Sequence, residues 1–155
     1  MLKMKKEKYR LLTEQICALV EGETDCVAVM ANVCAAIHET MGFWWTGFYR
    51  VKGGELVLGP FQGPVACMHI GYGKGVCGTA WKEQQTVIVP DVEQFPGHIA
   101  CSSLSRSEIV VPVFSKGEEV VAVLDIDSRE LATFDDTDRQ YLEEICKLLT
   151  RSGWE

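Results

Sequence analysis

The stretch that decides the fold is SEIVVPVFSKGEEVVAVLDID, which occupies residues 107–127. It contains two runs rich in valine and isoleucine, 107–114 and 119–127, on either side of Lys116-Gly117. Runs of this kind around a short glycine-containing turn are typical of an antiparallel β-hairpin. The segment therefore predicts two paired antiparallel strands.

Helices and a second hairpin are predicted around this segment. Apolar residues recur at helical spacing over 9–20, 26–41 and 134–149, as expected for helices that bury one face. The other predicted elements are a hairpin of strands 43–51 and 55–61, strands 65–70 and 86–89, a glycine loop 71–78, a short helix 79–84 and an irregular segment 91–106. We expect one α+β domain over residues 1–155, an antiparallel β-sheet with helices from both chain termini packed on it.

Composition and charge limit the kinds of function that this chain can have. Of the 155 residues, 47% are hydrophobic and 24% are charged, unlike disordered, collagen-like or coiled-coil chains. The net charge of −7 offers no basic surface, so neither nucleic acid nor a membrane is expected as a partner. The basic segment 1–10 is followed by polar Thr13, Glu14 and Gln15 instead of an apolar signal sequence, which predicts a cytoplasmic protein.

Three acidic residues are predicted to share one face of the main hairpin. Asp125 and Asp127 alternate with Ile126, and successive side chains of a strand point to opposite faces. A turn at Lys116-Gly117 pairs Glu108 with Asp125, and a turn shifted by one residue pairs Glu108 with Asp127. Both registers keep the three acids on one face.

Carboxylates placed so closely repel one another unless a cation lies among them or one of them is protonated. A bound ligand's ammonium group is one candidate for that cation. The alternative is neutralisation by water or by an arginine of the chain: Arg50, Arg106 or Arg129. If the ligand interpretation holds, one carboxyl that keeps its proton can act as a general acid.

Aromatic residues cluster in the strand predicted over 43–51. Trp45 and Tyr49 fall on one face of this strand, with Gly47 between them. A gap flanked by two rings would suit a thioether, a methyl group or a cation. The alternative is that these rings belong to the hydrophobic core.

Seven cysteines are an odd number, which does not fit a closed disulfide framework. Four of them lie in apolar helical stretches, where burial alone accounts for a thiol: Cys17, Cys26, Cys34 and Cys146. The other three, Cys67, Cys77 and Cys101, lie in glycine-rich or polar segments. Cys101 falls in the long irregular segment, and Cys67 and Cys77 flank a glycine loop that is predicted to be flexible.

Three interpretations of these loop cysteines stay open at this point. A zinc site could be formed by four residues whose spacing matches known zinc sites only in part: Cys67, His69, His98 and Cys101. The glycine pattern at 73–78 matches a dinucleotide-binding fingerprint, but the parallel strand–helix–strand context is missing. A redox role needs an accessible thiolate and a second thiol within its reach, which Cys101 with Cys67 or Cys77 could supply.

Five segments carry a specific resemblance to a known family. They are Leu58-Gly59-Pro60-Phe61-Gln62-Gly63, Gly73-Lys74-Gly75-Val76-Cys77-Gly78-Thr79, Phe95-Pro96-Gly97-His98-Ile99-Ala100-Cys101, Ser105-Arg106-Ser107-Glu108 and Val123-Leu124-Asp125-Ile126-Asp127-Ser128. In this order they resemble the free methionine-(R)-sulfoxide reductases, which are stand-alone GAF-domain enzymes. The resemblance runs from Leu11 to Leu149 and implies a GAF-like fold and reduction of free L-methionine (R)-S-oxide, with no metal or organic cofactor.

The resemblance also implies roles for the cysteines. Cys101 corresponds to the family's nucleophile, Cys67 to its resolving cysteine and Cys77 to the third member of its trio. The implied reaction forms a sulfenic acid on Cys101 and then an intramolecular disulfide with Cys67 or Cys77. Thioredoxin as the reductant and a homodimer as the assembly are implied in the same way.

The substrate-binding residues follow from the same resemblance. Three acids match those that hold the substrate's amino group and sulfoxide: Glu108, Asp125 and Asp127. Trp45 and Tyr49 match aromatic residues near the methyl–sulfur end of the substrate. The chain departs from the family pattern beside Cys67, with Met68-His69 in place of a small or polar residue and an arginine, and Gly71 in place of proline. GAF domains are often regulatory modules, so a non-catalytic sensor of a small amino compound is the alternative function.

Overall fold

The computed structural model describes residues 2–98 and 104–151, which are organised around a six-stranded antiparallel sheet. Its strands are β1 (Trp45–Lys52), β2 (Glu55–Gln62), β3 (His69–Gly71), β4 (Val87–Val89), β5 (Ser107–Phe114) and β6 (Val120–Ser128). Their order across the sheet is β3-β2-β1-β6-β5-β4. The predicted hairpins are therefore β1–β2 and β5–β6, and they join where β1 pairs with β6. The α+β class predicted from the sequence is confirmed.

Four helices cover the two faces of the sheet. Helices α1 (Leu2–Val20), α2 (Cys26–Met41) and α4 (Asp136–Arg151) lie on one face, and α3 (Gly75–Glu83) lies on the other. The N-terminus of α2 is capped by the Asp25 carboxylate, which accepts a hydrogen bond from the Ala28 N–H. Among the described residues, no helix combines the length and the apolar character needed to cross a bilayer.

Alternation along β5 and β6 divides the core into two parts. Ile109 and Leu124 point toward α1, α2 and α4 and are fully buried there. Val110 and Val123 point to the other face, where they pack with residues of α3. Acidic residues at alternate positions of the same strands therefore face α3 and not the larger helical core.

The helices from the two chain ends are joined by a buried polar cluster. Asp138 of α4 is fully buried, accepts a hydrogen bond from the Tyr9 hydroxyl at 2.5 Å, and pairs with the ammonium of Lys5. A buried carboxylate needs such partners because an unpaired charge is costly away from water. This cluster, together with the α1–α4 packing, fixes both termini on one face of the sheet as predicted.

Two helical cysteines are less buried than the sequence analysis predicted. Cys34 and Cys146 are buried, but Cys26 is only half-buried and Cys17 is exposed. Cys17 lies on the side of α1 that faces away from the sheet, since the buried positions of this helix are Tyr9, Leu12 and Ile16. Burial therefore does not account for the thiol of Cys17.

Several element boundaries also differ from the prediction, and those of β3 and α3 matter most for the position of the glycines. The strand predicted over 65–70 is only His69–Gly71, and α3 begins at Gly75 instead of residue 79. A Cβ atom on Gly78 would lie 2.5 Å from the carbonyl oxygen of Gly71. Gly78 thus allows close packing of a helix against β3, and the glycines at 75 and 78 lie in that helix instead of a flexible loop.

Candidate active site

Glu108, Asp125 and Asp127 meet on the sheet face that α3 covers. Glu108 is opposite Asp127, and Val110 is opposite Asp125. This is the second of the two registers predicted from the turn, and a register irregularity at Val113/Phe114 accommodates it. The prediction that the three acids share one face is confirmed.

Burial changes the proton affinity of these acids. Glu108 and Asp125 are each only 6% exposed. Burial, and then the charge of Asp125, raise the pKa of Glu108 well above its usual value, and the pKa of Asp127 is raised for the same reasons. Burial also raises the pKa of Asp125, but hydrogen bonding from Glu108 and from Cys77 opposes that rise. A protonated Glu108 that donates to an ionised Asp125 follows from these effects.

Within residues 2–98 and 104–151 no cationic side chain forms an ion pair with the cluster, although Lys74 lines the same cavity. The ion pairs there join Lys5, Arg10, His69 and Arg139 to other acids, and they leave out the arginines considered from the sequence. Asp127 accepts a hydrogen bond from the Ser105 hydroxyl at 3.0 Å. Asp125 Oδ1 is buried and has no hydrogen-bond partner among the described residues. This oxygen can accept a hydrogen bond from a cationic ligand.

The position of Cys77 corrects the expectation of a flexible loop thiol. Cys77 lies in the first turn of α3, is 3% exposed and is a free thiol. Burial, and then the charges of Asp125 and Glu108, raise the pKa of Cys77 well above its usual value. The Cys77 thiol is therefore a poor source of thiolate in this state, and it acts as a hydrogen-bond donor toward Asp125.

Trp45 and Tyr49 are on one face of β1 and line the cavity beside the acids, as predicted. The gap expected over Gly47 is not open, however. The Trp45 indole lies over Gly47 and stacks on Phe61, with ring centroids 5.3 Å apart. Trp45 Nε1 donates to the carbonyl oxygen of Pro64 at 2.9 Å, which holds the indole in this position. The rings thus form one wall of the cavity instead of flanking a slot.

Gly47 is needed for this arrangement of the indole. A Cβ atom at this position would lie 2.5 Å from Cβ of Phe61 and closer still to the Trp45 ring. We expect Gly47→Ala to lower the free energy of unfolding by about 1–3 kcal/mol, because the rings must move apart. Thermal melts would show a Tm decrease of about 2–4 °C per kcal/mol.

Gly117→Ala is the matched control, because a Cβ there would meet only Ser115 Oγ at 3.7 Å. We expect this surface change to stay within about 0.5 kcal/mol of the parent protein. Equal stability of the Gly47→Ala variant and its parent would show that the indole does not depend on Gly47.

The two other cysteines with a predicted redox role are Cys67 and Cys101. Cys101 lies outside the described residues. Cys67 is half-buried and disulfide-bonded, and its carbonyl oxygen accepts a hydrogen bond from the Tyr49 hydroxyl at 2.8 Å. His98 and Ser105, on either side of the undescribed segment 99–103, both line the acid cavity.

The alternative zinc set is not supported by the positions of its histidines. His98 lines the acid cavity, and burial lowers its pKa, which favours a neutral imidazole near pH 7. His69 lies on β3, is exposed, and places its Nδ1 2.5 Å from Glu55 Oε1. His69 is not among the residues that line the cavity.

Trp44 and Ser105 are among the residues of the cavity wall that the sequence did not assign to the site. Trp44 lines the cavity together with Trp45, although alternation within a strand would place neighbours on opposite faces. Because β1 begins at Trp45, Trp44 precedes the strand and alternation does not apply to it. Ser105 stood out in the sequence only as part of a family motif. Its hydrogen bond to Asp127 depends on the backbone path of residues 104–106 as they enter β5.

The chain is similar to one protein family model and to proteins of several organisms. The GAF domain family model matches residues 23–151. The chain is 56% identical to "GAF domain-containing protein A" of Dictyostelium discoideum over 94% of this chain and 92% of that protein. It is 43% identical to the free methionine-R-sulfoxide reductase of Escherichia coli over 95% of this chain and 89% of that protein.

A solved structure agrees with these relatives. The free methionine-R-sulfoxide reductase of Neisseria meningitidis, determined in complex with its substrate, superimposes with a TM-score of 0.93. It is 53% identical to this chain, and the match covers 96% of this chain and 89% of the other. The chain therefore belongs to the GAF domain family, in the branch that contains the proteins named free methionine-R-sulfoxide reductase.

Proposed function

We propose that this protein is an oxidoreductase that reduces free L-methionine (R)-S-oxide to L-methionine. The observation that carries the proposal is the cluster of buried Glu108 and Asp125 with half-buried Asp127, which forms no ion pair with a cationic side chain among the described residues. A free amino acid supplies an ammonium group that fits such a cluster. Relatives 42–43% identical to the chain bear the name of this activity.

In the proposed complex the acids hold the substrate's ammonium group and sulfoxide. Asp125 Oδ1, which lacks a hydrogen-bond partner, accepts from the ammonium. The methyl–sulfur end of the substrate contacts Trp45 and Tyr49. Both rings line the cavity beside the acids, and their centroids lie 6.2 Å apart. Thioether and aromatic groups attract one another, which helps to orient the sulfur.

The proposed chemistry begins with the Cys101 thiolate, which attacks the sulfoxide sulfur. The S–O bond breaks, the oxygen is transferred to Cys101 as a sulfenic acid, and methionine leaves with its sulfur reduced by two electrons. The departing oxygen needs a proton, and Glu108, whose pKa is raised by burial and by Asp125, is the acid placed to supply it.

Substrate binding also favours formation of that thiolate. Carboxylates near a thiol raise its pKa and oppose ionisation. The ammonium of the bound substrate cancels part of this negative charge. We therefore propose that Cys101 becomes fully reactive only when the zwitterionic amino acid is bound.

In the second step we propose that Cys67 resolves the sulfenic acid. Its thiol attacks the Cys101 sulfur, water leaves, and a Cys67–Cys101 disulfide forms. Cys67 is disulfide-bonded, which supports its part in a disulfide. Cys77 is less suited to the first resolving step because its thiol is buried and donates toward Asp125. A dithiol reductant, for which we propose thioredoxin, then restores both thiols.

We also propose a domain organisation, an assembly state and a cellular location for this protein. The chain acts as a single domain over residues 1–155, as a homodimer and without a cofactor. We place it in the cytoplasm, because free thiols such as exposed Cys17 persist in a reducing compartment.

The first test is the release of free methionine from the separate R and S epimers, with dithiothreitol as reductant. We expect turnover of the R epimer only. The same assay with N-acetylated substrate should show kcat/KM lower by roughly 5- to 150-fold, because the acids then lack an ammonium partner and a lost charged hydrogen bond costs about 1–3 kcal/mol.

The alternative function, a sensor of a small amino compound, predicts a different result. A sensor would bind methionine or its sulfoxide without releasing product from either epimer. Equal turnover of the N-acetylated and free substrates would contradict the role that we propose for the acids while leaving the reductase activity in place.

A further inference from the structure

We infer that Cys77, Glu108 and Asp125 form a binding site for one thiophilic divalent cation of the zinc and cadmium class. The Cys77 sulfur and one carboxylate oxygen from each acid all lie within 4.8 Å of one another. Ligand atoms around a tetrahedral zinc ion lie about 3.5 Å apart, since its bonds to sulfur and oxygen measure about 2.3 and 2.1 Å. Binding of such an ion therefore requires these three atoms to close from separations of up to 4.8 Å to that spacing.

A second observation points to a ligand at this place. Asp125 Oδ1 is buried without a hydrogen-bond donor among the described residues, and the Asp125 side chain is more than nine-tenths buried. An unsatisfied buried carboxylate oxygen costs free energy that a bound cation would recover. Within the described chain, no lysine or arginine forms an ion pair with Glu108 or Asp125.

The mixture of donor atoms selects the class of cation. One thiolate and two carboxylate oxygens suit zinc or cadmium, whereas magnesium and calcium prefer sites made of oxygen alone. Cation binding requires Cys77 and Glu108 to release their protons, so the site is weaker at low pH. The other titratable groups that line the same cavity are Asp127 of β6, Tyr49 of β1, Lys74 and His98. Within residues 2–98 and 104–151 the cluster supplies three protein ligands.

This site would give the enzyme a metal-dependent inhibition. A cation on Glu108 and Asp125 occupies the acids that the substrate's ammonium group needs, so the two cannot bind together. We therefore expect zinc to raise the KM for the sulfoxide and to leave kcat at saturating substrate unchanged. This competition rests on the proposed function, whereas the cation site itself does not.

Cadmium titration of the full chain tests the site. The reduced protein is desalted without oxygen, and the ultraviolet cadmium–thiolate charge-transfer band is followed as Cd²⁺ is added. We expect one tightly bound ion per chain, loss of its band in Cys77→Ser, and affinity at least about 10-fold weaker in Asp125→Asn with the band retained at high Cd²⁺. Cys17→Ser is the matched control, because it removes an exposed thiol and should leave the tight ion in place.

The outcomes separate the cation site from the proposed function. A band that survives in Cys77→Ser, or that is lost in Cys101→Ser instead, overturns the site. Asp125→Asn keeps the test valid if Cys77→Ser does not fold, since unchanged affinity in that variant also overturns it. Turnover without tight cadmium binding rejects the site alone, and cadmium binding without turnover or sulfoxide binding rejects the proposed function alone. Cadmium affinity that added methionine does not weaken rejects the competition.

Discussion

Cys101→Ser is expected to lower turnover of methionine (R)-S-oxide by roughly 10³-fold or more, to the rate of the reductant alone. Without the thiol, no group remains to accept the sulfoxide oxygen in the step that we propose. The acids and the aromatic wall are unchanged, so the substrate should still bind. Methionine release and substrate binding by calorimetry, measured on the same sample, would separate the two effects.

Cys67→Ser is the informative companion to this variant. Here Cys101 can still attack once, so we expect one equivalent of methionine per chain in a single turnover and slow recycling afterwards. The Cys34→Ser variant provides a control, because this thiol is buried in the helical core far from the acids in sequence and donates to Pro60. Normal steady-state activity of Cys101→Ser would reject Cys101 as the nucleophile.

Glu108→Gln is expected to weaken substrate binding while it stabilises the folded protein. The amide keeps a donor for Asp125 but removes a carboxyl that binds the ammonium and delivers a proton. Loss of a hydrogen bond to a charged group costs about 1.5–3 kcal/mol, so kcat/KM should fall by roughly 10- to 150-fold. The amide is neutral at every pH, so the variant avoids the free-energy cost of keeping a proton on Glu108 at neutral pH and should be more stable.

The stability gain should depend on pH, and its sign follows from the raised pKa of Glu108. In the unfolded chain this carboxyl has its ordinary pKa of about 4.5, and in the folded protein burial and the charge of Asp125 raise that pKa. Its contribution is complete below pH 4.5 and is lost as the pH rises through the folded-state pKa. Glu108→Gln should therefore raise Tm more at pH 8 than at pH 5.

Thermal melts at several pH values and isothermal titration with methionine would check both parts of this expectation. Glu119→Gln is a suitable control, because Glu119 is an exposed acid in the turn of the same hairpin. A Glu108→Gln variant that loses its folded state but binds normally when folded would assign this residue a structural role. A pH-independent Tm difference would contradict the origin of the stabilisation in the Glu108 carboxyl.

Much of the fold could be predicted because its signals are local. The hairpins around Lys52-Gly53-Gly54 and Lys116-Gly117 follow from β-branched runs that flank glycine turns. The three long helices follow from apolar residues at helical spacing. The boundaries of α3 and β3 were wrong because the close approach of Gly78 to Gly71 is a contact across the fold, which glycine content alone cannot distinguish from a loop.

At the site, too, the local sequence pattern determined some features of the acids and cysteines, and tertiary packing determined the others. Strand alternation by itself placed Glu108, Asp125 and Asp127 on one face, since both registers predicted from the turn preserve the side-chain period of two. Only the tertiary structure selected the pairing of Glu108 with Asp127 and buried the cluster beneath α3. Only packing between distant segments put the Trp45 ring over Gly47 and turned Cys77 from a supposed loop thiol into a buried donor to Asp125. Periodicity determines which face a side chain takes, whereas burial and proton affinity depend on what the rest of the chain packs against that face.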